Sequence, residues 1–261
     1  MRFKRIYVEI TNKCSLNCSF CPKLKRAYKD MSIDEFKHVI TEIKPFTSYI
    51  YLHLKGEPLN HPQFKEILDI AYQEGIKVNI TTNGTKLKEQ LEVIKEAKAI
   101  RQINVSLQAM EQVKDKEKYL ESVVQLIELA RSETFCVSLR IWINNQEVND
   151  FASHYIKSHV KELPKTVFWS YDTEFEWPNL EGEEVSKFGT CLGTRNHIGI
   201  LVNGDVVPCC LDGDGVVVFG NVLSESLSDI LNKERFLKMY EGLKSNKLVE
   251  ELCRKCKYRK K

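Results

Sequence analysis

Hydrophobic positions along the first two-thirds of the chain switch repeatedly between two spacings. Phe3-Lys4-Arg5-Ile6-Tyr7-Val8-Glu9-Ile10 alternates as a half-buried strand does, and apolar runs of strand length recur near 48–54, 76–81, 102–107, 135–142 and 165–171. The stretches between them carry helical spacing, near 32–45, 62–74, 85–97, 116–132 and 147–161. In 116–132, Leu120, Val123, Val124, Ile127 and Ala130 fall on one face, which reads as core. Ser32 followed by Glu35 has the spacing of a capping box and marks where a helix starts. Repeated strand–helix units imply parallel strands joined by right-handed crossovers. Six such units are too few for a closed eight-stranded barrel. The expected fold class is therefore α/β, a partial, open (β/α)6 TIM-like barrel, with chemistry at the C-terminal ends of its strands.

The pattern changes near Trp177-Pro178. Residues 178–190 are polar and read as a linker. Beyond it, Ile198–Val202 and Val206–Val207 are short apolar runs joined by Asn203-Gly204, a strong hairpin signal. Short helices are expected near 226–232 and 234–243. The expected division is a core domain over 1–180 and a small domain over 181–261.

Composition narrows the class. Hydrophobic residues make up 43% and charged residues 29% of the 261, as in a globular protein. The longest apolar runs are too short to span a bilayer, and the N-terminus enters the first strand without a signal-type apolar region. The expectation is a cytoplasmic protein that does not engage membranes. A net charge of +3 is too weak to argue for nucleic acid, and the basic residues Arg254, Lys255, Lys257, Arg259, Lys260 and Lys261 read as a solvated terminus. Nine cysteines in that setting point to metal or redox chemistry rather than disulfides.

Three of the nine, Cys14, Cys18 and Cys21, are spaced C-x3-C-x2-C on the loop after the first strand. Closed electron-transfer [4Fe–4S] clusters take four cysteines, and here the next one is Cys136. Three thiolates would leave one iron with an open position, as catalytic metal sites have. The segment Cys14-Ser15-Leu16-Asn17-Cys18-Ser19-Phe20-Cys21 resembles the signature of the radical S-adenosylmethionine (SAM) enzymes. The resemblance implies a [4Fe–4S] cluster whose open iron is chelated by SAM, and reductive cleavage of SAM to a 5'-deoxyadenosyl radical that abstracts hydrogen from substrate. It also implies an electron donor of the flavodoxin or ferredoxin type.

Further segments fit the same resemblance. Lys55-Gly56-Glu57-Pro58 is similar to the family's Gly-Gly-Glu-Pro turn, with Lys55 in place of the first glycine. In the family this turn receives the SAM amino group, which assigns Gly56 and Glu57 to cofactor binding. Thr82-Asn83-Gly84 matches a segment that ends the third strand in relatives and assigns Asn83. Ser106 on the fourth strand and Arg140 on the fifth are the hydroxyl and guanidinium that would take the ribose and carboxylate of SAM. Phe20 resembles the aromatic residue beside the adenine. A packing anchor for Phe20 and an ion pair for Arg140 are the plainer alternatives.

A second cysteine set lies in the last third. Cys191, then Gly204 with four residues to Cys209, then Cys253-x2-Cys256 resemble the Twitch domain, a shortened SPASM domain. This implies a second, auxiliary [4Fe–4S] cluster on Cys191, Cys209, Cys253 and Cys256, with all four sites filled. The glycine spacing selects Cys209, and Cys210 is the neighbouring alternative. Cys136 reads as a buried thiol.

The reading is a radical SAM enzyme, oxidoreductase-like, acting on a small polar molecule ahead of a peptide. It resembles the small Twitch dehydrogenases that oxidise an alcohol carbon of an aminocyclitol. Modification of a ribosomal peptide is the second reading, and a zinc-bearing binding module is the alternative from another class. Trp142, Trp169, Tyr171, Asp172, Glu174, Glu176, Arg195 and His197 are possible substrate contacts near strand ends or the domain junction.

Overall fold

A computed structural model describes residues 2–258. Arg259, Lys260 and Lys261 of the basic tail lie outside the described residues. The expected strands appear as β1 (Arg5–Val8), β2 (Tyr49–Tyr51), β3 (Lys77–Thr82), β4 (Ile100–Ser106), β5 (Cys136–Trp142) and β6 (Val167–Asp172). The helices between them are α1 (Ile33–Ile43), α2 (Phe64–Gln73), α3 (Leu87–Glu96), α4 (Lys116–Leu129) and α5 (Gln146–His159). The C-terminal third holds β7 (His197–Ile200), β8 (Asp205–Val207), β9 (Gly220–Asn221), α6 (Leu227–Leu231), α7 (Glu234–Lys244) and α8 (Glu251–Lys255). β9, two residues long, and α8 are not foreshadowed by the sequence pattern.

The chain divides into two compact units. One comprises residues through Lys13, Phe20–Gly56 and from Phe175 onward; the other comprises Cys14–Ser19 and Glu57–Glu174. In the first, the strand order is β2-β1-β7-β8-β9, with β1 parallel to both neighbours and the last two pairings antiparallel. In the second, the order is β3-β4-β5-β6, all parallel. The fold is thus α/β with mostly parallel strands, open rather than closed.

Local chemistry explains the boundaries. Ser32 and Glu35 close the expected capping box: the Glu35 amide donates to Ser32 Oγ at 3.2 Å, and the Ser32 amide donates to Glu35 Oε2 at 2.8 Å. Asp115 caps α4 by accepting from the Lys118 amide. Asn203-Gly204 turns β7 into β8, with Gly204 at φ +90°.

Each unit has its own apolar core. In the second, Ile80, Ile103, Val105, Val137 and Leu139 of the strands are buried, as are Leu120, Val123 and Ile127 of α4. In the first, Ile6, Val8, Ile50, Ile198 and Ile200 are buried, as are Phe36, Val39, Ile40 and Ile43 of α1. Each such side chain contributes about 1.5–3 kcal/mol through its removal from water. No described helix is long and apolar enough to cross a membrane.

Candidate functional site

The loop that carries Cys14, Cys18 and Cys21 is fastened at its base. Thr11 Oγ1 donates to Asp30 Oδ1 at 2.6 Å, and Lys13 pairs with the same carboxylate. Asn12 Nδ2 donates to the Ala27 carbonyl, and the Lys29 amide donates to Asn12 Oδ1, both at 2.8 Å. Between these ties the loop has no regular secondary structure, leaving Cys14 exposed and Cys18 and Cys21 half-buried.

Glu9, just before this loop, is fully buried. Arg26 Nη2 donates to both its oxygens at 2.8 Å, the Lys55 amide to Oε1 at 3.1 Å and the Val202 amide to Oε2 at 3.0 Å. One carboxylate therefore holds the exit of the cysteine loop, the turn after β2 and the strand-end beyond β7. Burial pushes its pKa up; the Arg26 guanidinium and the two amides oppose that. Arg26 also donates through Nε to the Gly213 carbonyl at 2.9 Å. The sequence reading took Glu9 as an ordinary strand position. An acidic residue in an apolar run before a functional loop was the available signal.

The turn after β2 needs its glycine. Gly56 lies at φ +75°, and a Cβ there would sit 2.4 Å from the Thr11 carbonyl oxygen and 2.8 Å from Asn12 Cα. Backbone meets backbone at this point, directly ahead of the cysteine loop. Lys55 has its amide on Glu9, and its side chain is only 5% exposed. Its stem lies against Gly213, where a Cβ would come within 2.8 Å of Lys55 Cε. Lys55 Nζ donates to the Pro22 carbonyl at 2.9 Å and toward Cys21 Sγ at 3.9 Å, and lies 4.1 Å from the centre of the Trp177 ring. Burial pushes its pKa down, opposed chiefly by the Cys21 sulfur.

In the second unit, Asn83 follows β3 and its Nδ2 donates to Cys14 Sγ and Ser15 Oγ, each at 3.5 Å. Thr85 Oγ1 lies 2.7 Å from Ser15 Oγ and from Asn83 Oδ1, which orients that amide. Glu57, 1% exposed, accepts from the Leu59 amide at 3.1 Å and from the Asn83 amide at 2.6 Å. Burial pushes its pKa up to about 7, against the pull of those donors. Ser106 and Arg140 are paired in register at the C-terminal parts of β4 and β5, both half-buried. Two residues on, Gln108 is buried and its Oε1 has no hydrogen-bond partner. The sequence reading passed over it because a lone glutamine after a strand has no distinguishing pattern.

The second cysteine set is assembled within the first unit. The Gly193 amide donates to Cys191 Sγ at 3.3 Å. Burial pushes the Cys209 thiol up, and Cys210, Cys191 and Cys253 add to the rise. Cys253 is pushed up by burial, then by Cys191 and Cys256. In geometry, a Cβ on Gly193 would lie 3.6 Å from Cys191 Sγ and 3.9 Å from Cys209 Cβ, so these two cysteines flank the same glycine. Cys210 instead packs against the apolar cluster of Tyr7, Leu54, Leu201 and Val207, with a hydrogen bond to Tyr7. None of the nine cysteines is in a disulfide. Among the described residues no three His, Cys, Asp or Glu side chains converge to hold a single metal ion. A multi-iron cluster asks for less convergence, because its irons are spread over a cube and each reaches one thiolate. The thiols of Cys191 and Cys209 beside Gly193 suit that group in their chemistry, and amide or ammonium donors at Cys14 and Cys21 suit thiolate ligands.

The residues expected as substrate contacts differ in their surroundings. Trp142 is buried, while Tyr171 is 64% exposed. His197 stacks edge-on to Tyr7, and burial pushes its pKa down to about 4, so it stays neutral inside the sheet. Glu176 pairs with Lys257.

Residues 8–154, more than half the chain, match the family model for the radical SAM superfamily. The chain belongs to the radical SAM superfamily. Residues 191–257 match the SPASM model, an iron–sulfur cluster-binding domain. The superfamily domain implies a [4Fe–4S] cluster and SAM, and the SPASM domain implies additional iron–sulfur chemistry. A tungsten-containing aldehyde ferredoxin oxidoreductase cofactor-modifying protein of Pyrococcus furiosus is 26% identical, over 89% of this chain and 82% of that one. The Fe-coproporphyrin III synthase of Methanosarcina barkeri is 25% identical, over 61% of this chain and 42% of its own length, so the chain spans less than half of that relative. Among solved structures, BtrN in complex with AdoMet and 2-DOIA aligns with TM-score 0.68 at 20% identity, covering 98% of this chain and 94% of that one. SuiB of Streptococcus suis bound to the precursor peptide SuiA aligns at 0.56 and 16%, covering 98% and 70%. At these identities the likeness carries the fold, the partial TIM barrel shared by these radical SAM superfamily structures.

Proposed function

We propose that this radical SAM enzyme cleaves SAM at Cys14, Cys18 and Cys21 and uses the resulting radical to abstract hydrogen from a small polar molecule. The observation that carries the reading is the C-x3-C-x2-C loop inside the matched region, with Asn83 donating to Cys14 Sγ and Lys55 reaching toward Cys21 Sγ. When bound, a [4Fe–4S] cluster at these thiolates supplies the electron for SAM cleavage. The protein's own residues position the reactants. Gly56 gives backbone access at the turn. Ser106 and Arg140, side by side, offer a hydroxyl and a bidentate donor to SAM. Phe20 flanks the adenine. Glu57 acts through Asn83, whose amide it holds. The unpaired Oε1 of Gln108 is a further acceptor for SAM or substrate. The core domain spans 1–180.

The domain over 181–261 would hold a closed auxiliary cluster on Cys191, Cys209, Cys253 and Cys256, and such a group would supply one-electron redox chemistry beside the core domain. The turn of Cys210 toward Tyr7 supports Cys209 as the ligand. A small-molecule substrate is supported by the end-to-end fold likeness to BtrN, whose complex contains 2-DOIA. Peptide modification has the support of SuiB, bound to a precursor peptide at lower TM-score and partial coverage. A flavodoxin or ferredoxin-type protein delivers the electrons.

The test is anaerobic reconstitution. About eight irons per chain are expected from two cubane clusters, with 5'-deoxyadenosine formed on reduction in the presence of SAM. The Cys14/Cys18/Cys21→Ala variant should lose about half the iron and all of that product. Cys209→Ala should lose the auxiliary cluster while Cys210→Ala keeps it, and the reverse result overturns the ligand choice. Deuterium transfer into 5'-deoxyadenosine from deuterated aminocyclitols, against deuterated peptides, decides the substrate class.

A further inference from the structure

We propose that Lys55 is a positioning residue that sets the reduction potential of the SAM-cleaving cluster by holding a cation beside the Cys21 sulfur. The proposal rests on the reading of Cys21 as a cluster ligand. The ammonium is not a solvated lysine head that happens to pass a thiol. Its stem is pressed onto Gly213, where no side chain could fit without displacing it. Its head is fixed by the Pro22 carbonyl at 2.9 Å and the Trp177 ring at 4.1 Å, and its third neighbour is Cys21 Sγ at 3.9 Å. With 5% exposure it lies in a medium that screens charge far less than water does. Burial lowers the pKa of Lys55, and Cys21, Asp214 and Glu9 work against that lowering.

The consequence follows from charge. Adding one electron to an iron–sulfur cluster adds one negative charge, shared with its thiolates. A cation near a ligating sulfur stabilises the reduced form more than the oxidised form, so the potential rises. Net charge and hydrogen bonds to sulfur are established levers on such potentials. A glycine at position 55 would supply none of this. Lys55 thus makes the cluster easier to reduce, and a weaker donor then suffices for SAM cleavage.

The experiment is a redox titration of the anaerobically loaded protein, following the electron paramagnetic resonance signal that shifts when SAM is added. That signal isolates the first cluster from the auxiliary one. Lys55→Met keeps the stem and removes the charge. It should lower the reduction equilibrium constant at least tenfold, a shift of about 59 mV to more negative potential for one electron, at unchanged iron content. Lys55→Arg should recover most of the shift. Trp177→Leu, which leaves residue 55 intact but frees the ammonium, should move the potential the same way by less. If Lys55→Met loads fully and titrates with the wild type, the proposal is overturned. If Lys55→Met does not load, Trp177→Leu decides: a negative shift supports the proposal and no shift overturns it. Cys21→Ala separates the two layers. Loss of the SAM-sensitive signal upholds the ligand reading, so that an unshifted Lys55→Met then refutes the tuning alone. Retention of the signal refutes the ligand reading and the tuning with it.

Discussion

Replacing Arg26 by Met removes the side-chain cation that is hydrogen-bonded to Glu9, and the structure sets the size of the effect. Glu9 is fully buried and takes two bonds from Arg26 and two from backbone amides. Without the guanidinium, a carboxylate remains in the interior with the Lys55 and Val202 amides as its donors. Breaking a buried pair from one side costs about 3–5 kcal/mol, because the other charge is left uncompensated. For a chain of this length 1 kcal/mol is about 2–4 °C, so the unfolding midpoint should fall by roughly 6–20 °C. The loss should also depend on pH. In the variant the folded-state pKa of Glu9 rises further above its unfolded value. Such a group contributes stability that is present below the unfolded pKa and lost as pH rises through the folded one. The deficit should therefore grow as the pH is raised from mildly acidic to mildly basic. The measurement is thermal unfolding of loaded wild type and Arg26→Met across that range, under anaerobic conditions. A midpoint change under about 2 °C, or a deficit independent of pH, would refute the view that Arg26 compensates a buried charge.

Two further outcomes are expected. Gly56→Ala places a Cβ in the left-handed region and 2.4 Å from the Thr11 carbonyl oxygen; the conformational cost of about 1–2 kcal/mol and an overlap cost of about 1–3 kcal/mol should lower stability and iron loading together, and a fully loaded variant with the wild-type midpoint would contradict the geometry. Glu57, with its pKa raised to about 7 from 4.5, contributes stability that is present below about pH 4.5 and lost as pH rises to 7, worth about 3 kcal/mol. Glu57→Gln should flatten that part of the stability profile, and parallel profiles for the two proteins between pH 5 and 8 would count against a raised pKa.

The alternation of periods carried most of the fold. All six expected parallel strands and the five helices among them form, with ends displaced by a few residues. The hairpin at Asn203-Gly204 was legible because its turn chemistry is local. β9 was not, since two residues cannot display a period, and neither was α8, whose N-cap Glu250 makes no side-chain capping bond, whereas the equally short α6 opens on Ser226, which does. The candidate site divides the same way. The cysteine spacings and the Gly-Glu-Pro turn are local patterns, and they lie within the stretches that the family and SPASM models match. Glu9 stands out in the sequence only as an acidic residue in an apolar run; its partners Arg26, Lys55 and Val202 are distant in sequence and meet only in the folded chain. Lys55 looked like a neutral departure from a glycine pattern; its meaning comes from Gly213 and Trp177, more than a hundred residues away. His197 was a plausible substrate contact by position and became a neutral interior ring by burial.

The close approach at Gly56 bears on how such chains are found. Of the two glycines in the turn pattern, the second stands where backbone touches backbone at positive φ, so no other residue can replace it without moving the strand that leads to the cysteines. The first is a position whose side chain, when there is one, has somewhere to go, as Lys55 demonstrates. A search that weights both glycines equally will discard proteins in which the first has been put to other use. Weighting the second alone, together with a small residue at the position of Gly213 and an aromatic at that of Trp177, would collect enzymes that carry a built-in cation beside the cysteine loop. Members gathered that way should sort by how strong an electron donor they require.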